Sequence, residues 1–242
     1  MPRSYPDWSN VRREVTYILR EDLAELAARL GSVNVFDRRG NIVWWDDFNK
    51  GMGAWSTATS GTGASVALST TFPHWPPFCL QMTAGSTGKG YSTVIRSLAP
   101  LASGKLGVEA CVCFPTDWST FDYFLQVADG TLRYQANITL SFADQKIYYE
   151  DENADLVELD DLPDLVSEDG VYHHIKVVAD FADHLWIRFM LDDQVYEMPS
   201  VALHYGTDTG YPHIDLEITL YARSGENDYC LLDGVILTQD ER

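Results

Sequence analysis

Two hydrophobic periods run along this chain. Between residues 11 and 30 apolar positions recur at spacings of three and four: Val11, Val15, Ile18, Leu19, Leu23, Leu26, Ala27 and Leu30. Ser9 or Asn10 can cap the start and Gly31 suits the position just past the end, so the pattern predicts an amphipathic helix over about residues 10–30. Its other face mixes both signs of charge (Arg12, Arg13, Glu14, Glu21, Asp22, Glu25, Arg29). The apolar stripe needs cover, supplied either by the chain's own sheet or by another subunit. The stripe residues Val15, Ile18, Leu19, Leu23, Leu26 and Leu30 are therefore candidate attachment or oligomer contacts.

After Gly31 the period shortens to two. SVNVF, the turn Asp37-Arg38-Arg39-Gly40 and NIVWW predict a β-hairpin over about residues 32–45. From residue 46 onward short alternating runs such as YSTVIRSL, KLGVEACVCF, LRYQANITLSF, YHHIKVVADF and HIDLEITLYA are separated by Gly, Asp, Asn and Pro clusters. No helical segment of useful length interrupts them, which predicts a mainly β fold, an antiparallel sandwich or barrel. The run 150–170 holds ten acids and no base, and reads as a solvated connection or a weak edge strand. The domain expectation is an arm over 1–43 and a sandwich over 44–242.

The charge sharpens this division. Residues 1–39 hold seven basic and six acidic side chains, a net +1, while the other 203 hold ten basic and thirty acidic, a net −20. A near-neutral arm suits contact with a partner, and an acidic body suits solvent. The total of −19 repels phosphate backbones and anionic membrane surfaces, so neither nucleic acid nor membrane is expected as a partner. There is no run of 18 apolar residues, and MPRSYPDWSN lacks the layout of a signal peptide, which points to synthesis in the cytoplasm.

Four cysteines are too few for a disulfide framework in 242 residues. Cys111 and Cys113 are two apart in a strand-like run and share a sheet face as buried thiols, and with Cys79 and Cys230 isolated the pattern argues against zinc. His173 and His174 are adjacent on a strand and point to opposite faces, so they cannot chelate together and read as packing residues.

Residues 170–198, GVYHHIKVVADFADHLWIRFMLDDQVYEM, resemble the paired strands of the concanavalin-like, laminin-G-like β-sandwich group of lectin and carbohydrate-binding domains. WDDFNKGMGAWST (45–57) and YCLLDGVILTQ (229–239) resemble the opening and closing strands of such modules. The resemblance implies a concanavalin-like jelly-roll sandwich, in many of which the two end strands hold a structural calcium; Asp46, Asp47 and Asp233 are the corresponding candidate ligands. The order of helix, VFDRRGNIVWWDDF, Gly-Trp segment, STATSGTGASVALST and YSTVIRSL resembles tailed-bacteriophage virion proteins, in which a lectin-like sandwich rides on an N-terminal attachment element.

The laminarinase-type glucanases of this fold carry a Glu-x-Asp-x-Glu strand. The nearest string here is His213-Ile214-Asp215-Leu216-Glu217, with histidine where that resemblance expects the nucleophile. No enzyme activity is expected, and the Asp215 and Glu217 face reads as an outer polar strand surface. Aromatic rings in FPHWPPF and PTDWSTFDYF supply a candidate glycan platform of Trp75, Phe78, Trp118 and Tyr123, unless the rings fold back over the sandwich end. The functional expectation is a non-enzymatic virion structural protein, a capsid decoration or tail-associated component, that contacts other virion proteins and self-associates through its arm. The alternative is a carbohydrate-binding adhesin module that recognises a cell-surface glycan, and a glycosidase relic ranks third.

Overall fold

The computed structural model describes Asp37 and residues 39–242. The predicted helix, with Val15, Ile18, Leu19, Leu23, Leu26 and Leu30, and the first strand of the predicted hairpin lie outside the described residues. Sixteen strands are formed within them. The first eight are β1 (Asn41–Asp46), β2 (Ser56–Ser60), β3 (Ser65–Ser69), β4 (Cys79–Thr83), β5 (Tyr91–Leu98), β6 (Lys105–Cys113), β7 (Thr120–Ala128) and β8 (Leu132–Ser141). The rest are β9 (Lys146–Glu150), β10 (Leu156–Asp161), β11 (Tyr172–Asp180), β12 (Leu185–Leu191), β13 (Gln194–Glu197), β14 (His204–Thr207), β15 (His213–Tyr221) and β16 (Tyr229–Gln239).

They build two antiparallel sheets. The first runs β13-β12-β11-β6-β16-β4-β3, with β1 also on β16; the second runs β10-β9-β8-β7-β15-β5-β2, with β14 also on β8. This is the expected concanavalin-like jelly-roll sandwich. Alternation sends Val108, Ala110 and Val112 of β6 and Phe121, Tyr123 and Leu125 of β7 into one core between the sheets, together with Trp118, Trp186 and Phe189. Burying side chains of this size contributes roughly 1.5–3 kcal/mol each.

Two boundaries differ from the sequence reading. NIVWW is the second strand of the expected hairpin, yet as β1 it pairs with β16 from Asn41↔Gln239 to Asp46↔Val235 and is part of the sandwich. The compact body accordingly begins at Asp37 rather than at residue 44. The acidic run 150–170 does contribute an edge strand, β10, where Lys146 of β9 lies 2.7 Å from Glu158 and 2.6 Å from Asp161.

Period-two reasoning places the alternate residues of the first sheet, Glu109, Cys111, Cys113, His174, Lys176 and Arg188, on the face away from the core. That face is not open to water. Glu109, Lys176 and Arg188 are at most 1% exposed. Lys176 Nζ lies 3.0 Å from Asp37 Oδ2 and 2.8 Å from Glu241 Oε1, and Arg188 bridges the same two carboxylates. Buried charges persist only when paired in this way.

Candidate functional site

The second sheet turns a polar face away from the core. Alternation turns Asp122 and Phe124 of β7, Gln135, Asn137 and Thr139 of β8, Glu150 of β9 and Tyr221 of β15 to this face, and these residues line a groove of about 770 Å³. That volume falls within the roughly 300–1,000 Å³ of small-ligand sites. The floor is preorganised by hydrogen bonds across strands. Gln135 Nε2 and Asn137 Nδ2 both donate to Glu150 Oε2, at 2.6 and 3.2 Å, and Thr139 Oγ1 donates to Asp122 Oδ1 at 2.7 Å. On the neighbouring strands the Thr93 and Thr219 hydroxyls meet at 2.8 Å.

Acceptors remain unmet. Asn137 Oδ1, and Asp215 Oδ1 on β15, are buried without a hydrogen-bond partner in the protein. Burial pushes the Asp122 carboxyl up to about 6; Thr139 opposes this, while Glu217 and Glu150 add to it. Glu217 is also raised, by burial first and by Asp215, against a hydrogen bond from Thr219. His213 Nε2 lies 3.1 Å from Asp215 Oδ2, and the Tyr211 carbonyl is the largest influence raising the His213 imidazole. Asp215 and Glu217 share the outer polar face of β15, as expected, beside the groove rather than among the residues that line it.

The expected aromatic platform does not assemble. Trp118 and Tyr123 are core residues, exposed by 1% and 0%, and neither can stack on a sugar. Tyr123 falls inside because β7 starts at Thr120, which sends odd-numbered residues inward. Trp75 and Phe78 are half-buried and belong to the segment that leads into β4 of the other sheet. The aromatic side chains that do line the groove, Phe124 and Tyr221, sit on strands, and their alternation with buried neighbours was the signal for them.

The calcium trio does not converge either. Asp46 accepts the Phe48 N–H at 2.8 Å and the Trp55 Nε1–H at 3.0 Å, and Asp47 accepts both N–H groups of Asn49. Asp233 accepts the N–H groups of Trp75 and Gly234, and burial pushes its carboxyl up to about 7. These carboxylates cap turns. Among the described residues one group of three or more His, Cys, Asp or Glu brings its ligand atoms within 4.8 Å of one another, and it is His74, Cys111 and His174. The four cysteines are buried free thiols, as expected. His173 packs on Phe114 and meets Asp192 at 2.7 Å, whereas His174, on the opposite face, meets Cys111.

No known family model and no curated protein sequence matches this chain. Among solved structures, "Cellulose induced protein, Cip1" is similar at a TM-score of 0.57 and 19% identity, over 81% of this chain and 96% of that one. A Bacillus licheniformis β-glucanase matches at 0.48 and 13%, over 81% and 97%. The potassium-bound carbohydrate recognition domain of Emp46p matches at 0.48 and 10%, over 80% and 92%. The likeness to the first is a likeness of fold.

Proposed function

We propose that this chain is a carbohydrate-binding β-sandwich and that the groove on its second sheet takes an oligosaccharide without cleaving it. One observation carries the reading: the groove floor is a fixed array of amides, hydroxyls and carboxylates in which a buried acceptor, Asn137 Oδ1, has no partner in the protein. A sugar presents many hydroxyl donors and acceptors on a rigid ring, and such a floor satisfies them without first reorganising. Phe124 and Tyr221 beside it offer faces to the ring's C–H groups. His213 stands where a retaining glucanase needs a carboxylate, which supports binding over hydrolysis.

The test is a glycan array followed by calorimetry on the positive ligands. Asn137→Ala and Tyr221→Ala are each expected to weaken binding about tenfold or more, with no reducing ends released from the same glycans. Failure of every glycan to bind would overturn the reading, and turnover would overturn its non-enzymatic part.

The net +1 of residues 1–39 against −20 for the rest and the apolar positions spaced at three and four support an attachment arm, and with the sequence resemblance to tailed-bacteriophage virion proteins they support a second reading: the sandwich acts in a virion, attached to other virion proteins through its arm. Mass spectrometry of purified particles tests it, and absence of the chain from them overturns it.

A further inference from the structure

The second polar cluster lies on the opposite sheet, away from the glycan groove. Cys111 of β6 and His174 of β11 are direct cross-strand partners, and Asp233 of β16 pairs with Cys111 from the other side. Three adjacent strands therefore bring these side chains to one level of one face. Cys111 Sγ and His174 Nδ1 are 3.3 Å apart. Above them the segment before β4 delivers His74, whose ring centroid is 6.0 Å from that of His174 and 5.0 Å from that of Tyr172. That segment is tied down by the Trp75 N–H, which donates to Asp233 Oδ2 at 2.9 Å.

We propose that His74, Cys111 and His174 form a zinc-type transition-metal site. Tetrahedral zinc, with Zn–S near 2.3 Å and Zn–N near 2.0–2.1 Å, separates its sulfur and nitrogen ligands by roughly 3.5 Å. The 3.3 Å between Cys111 Sγ and His174 Nδ1 nearly equals that edge, and all three ligand atoms already lie within 4.8 Å of one another. An N₂S donor set is soft, and selects zinc and its transition-metal neighbours over calcium or magnesium. Coordination sends the thiol proton to solvent and leaves the thiolate on the metal. His74 is exposed, so the ion can enter from solvent, and three protein ligands leave a fourth position for water or an exogenous ligand.

Two residues fix the frame without touching the ion. Asp192 Oδ1 accepts the His174 backbone N–H at 2.8 Å, and Asp233 holds the loop that bears His74. Such outer contacts set the orientation of metal ligands.

The experiment uses the full, untagged chain stripped with chelator. Zinc is titrated against a chromophoric competitor, and cobalt replaces it for absorption spectroscopy. One equivalent of metal is expected, with a thiolate-to-cobalt charge-transfer band. Cys111→Ser should abolish the band, and His74→Ala should weaken zinc binding at least about tenfold. Cys113→Ser, two residues away on the same face, should leave both unchanged. Because His74 is exposed, its variant tests the site even if Cys111→Ser fails to fold. Failure to bind a stoichiometric ion, a band that survives Cys111→Ser, or zinc affinity unmoved by His74→Ala would overturn the assignment.

Discussion

Lys176 Nζ lies 2.8 Å from Glu241 Oε1, and neither side chain reaches solvent. Lys176 comes from the middle of β11 and Glu241 from the end of the chain, so one ion pair pins the chain's last residues to a central strand. Removing one partner strands the other charge in the interior. Lys176→Met should cost about 3–5 kcal/mol in urea unfolding, and adding Glu241→Leu to it should cost less than the two single changes together. Additive effects would show that the pair is not coupled.

Asp37 joins the same cluster, and its titration has a definite sign. Burial alone would raise the carboxyl, but hydrogen bonds from Arg39 and the charge of Lys176 outweigh it and hold the group far below the usual carboxylate range. The resulting stability is complete above the ordinary carboxylate pKa and is lost only as pH falls toward the depressed value. Asp37→Asn should therefore lower the melting temperature at pH 7 and narrow the gap from the parent protein as the solution is acidified. A gap constant from pH 7 to pH 2 would contradict this.

Asp122 behaves in the opposite sense. With its carboxyl raised to about 6 by burial, the folded protein binds a proton more tightly than the unfolded chain, so stability declines as pH rises through the window from about 4 to 6. Asp122→Asn keeps an acceptor for Thr139 and removes the buried charge. It should stabilise the protein by about 1–3 kcal/mol at pH 8 and flatten that part of the profile, read by thermal melts across pH. Destabilisation at pH 8 would count against the burial argument.

Gly234 has φ of +57°, and a Cβ there would fall 1.8 Å from the Trp75 ring. Gly234→Ala should cost about 2–4 kcal/mol in backbone strain plus displacement of the tryptophan. Gly225, at φ +89° with nothing within 4 Å of the same added atom, provides the strain-only comparison. Equal losses in the two variants would show that the ring yields freely.

Phe124→Ala should weaken any glycan that binds the groove by about 1–2 kcal/mol while leaving zinc affinity unchanged, since the two clusters lie on different sheets. Calorimetry on both ligands checks this separation.

Strand alternation made the fold legible from residues alone: the period-two runs became strands, and Cys111 and Cys113 lie buried on one face. What alternation cannot carry is register between distant strands. Cys111 and His174 are 63 residues apart and meet only because β6 pairs with β11. The groove was not legible locally: Asp215 and Glu217 were placed on one face but stand beside it, and the Asn137 and Glu150 that line it come from strands that no local pattern joins. Trp118 and Tyr123 looked like loop aromatics because the start of β7 at Thr120 decides which rings turn inward. Lys176 and Arg188 follow the polar phase of their strands, and only the return of Asp37 and Glu241 over that face makes them interior.

The closure of this body has a practical corollary. Asn41 and Gln239 face each other across β1 and β16, and Asp37 and Glu241 share the same two cations, so the polypeptide enters and leaves the sandwich at one place. A unit with adjoining ends can be spliced into a surface loop of an unrelated host without stretching either protein. By the same geometry a short linker joining those ends, with new ones cut at an exposed turn such as Ser224–Glu226, would yield a circular permutant in which every strand pairing is retained.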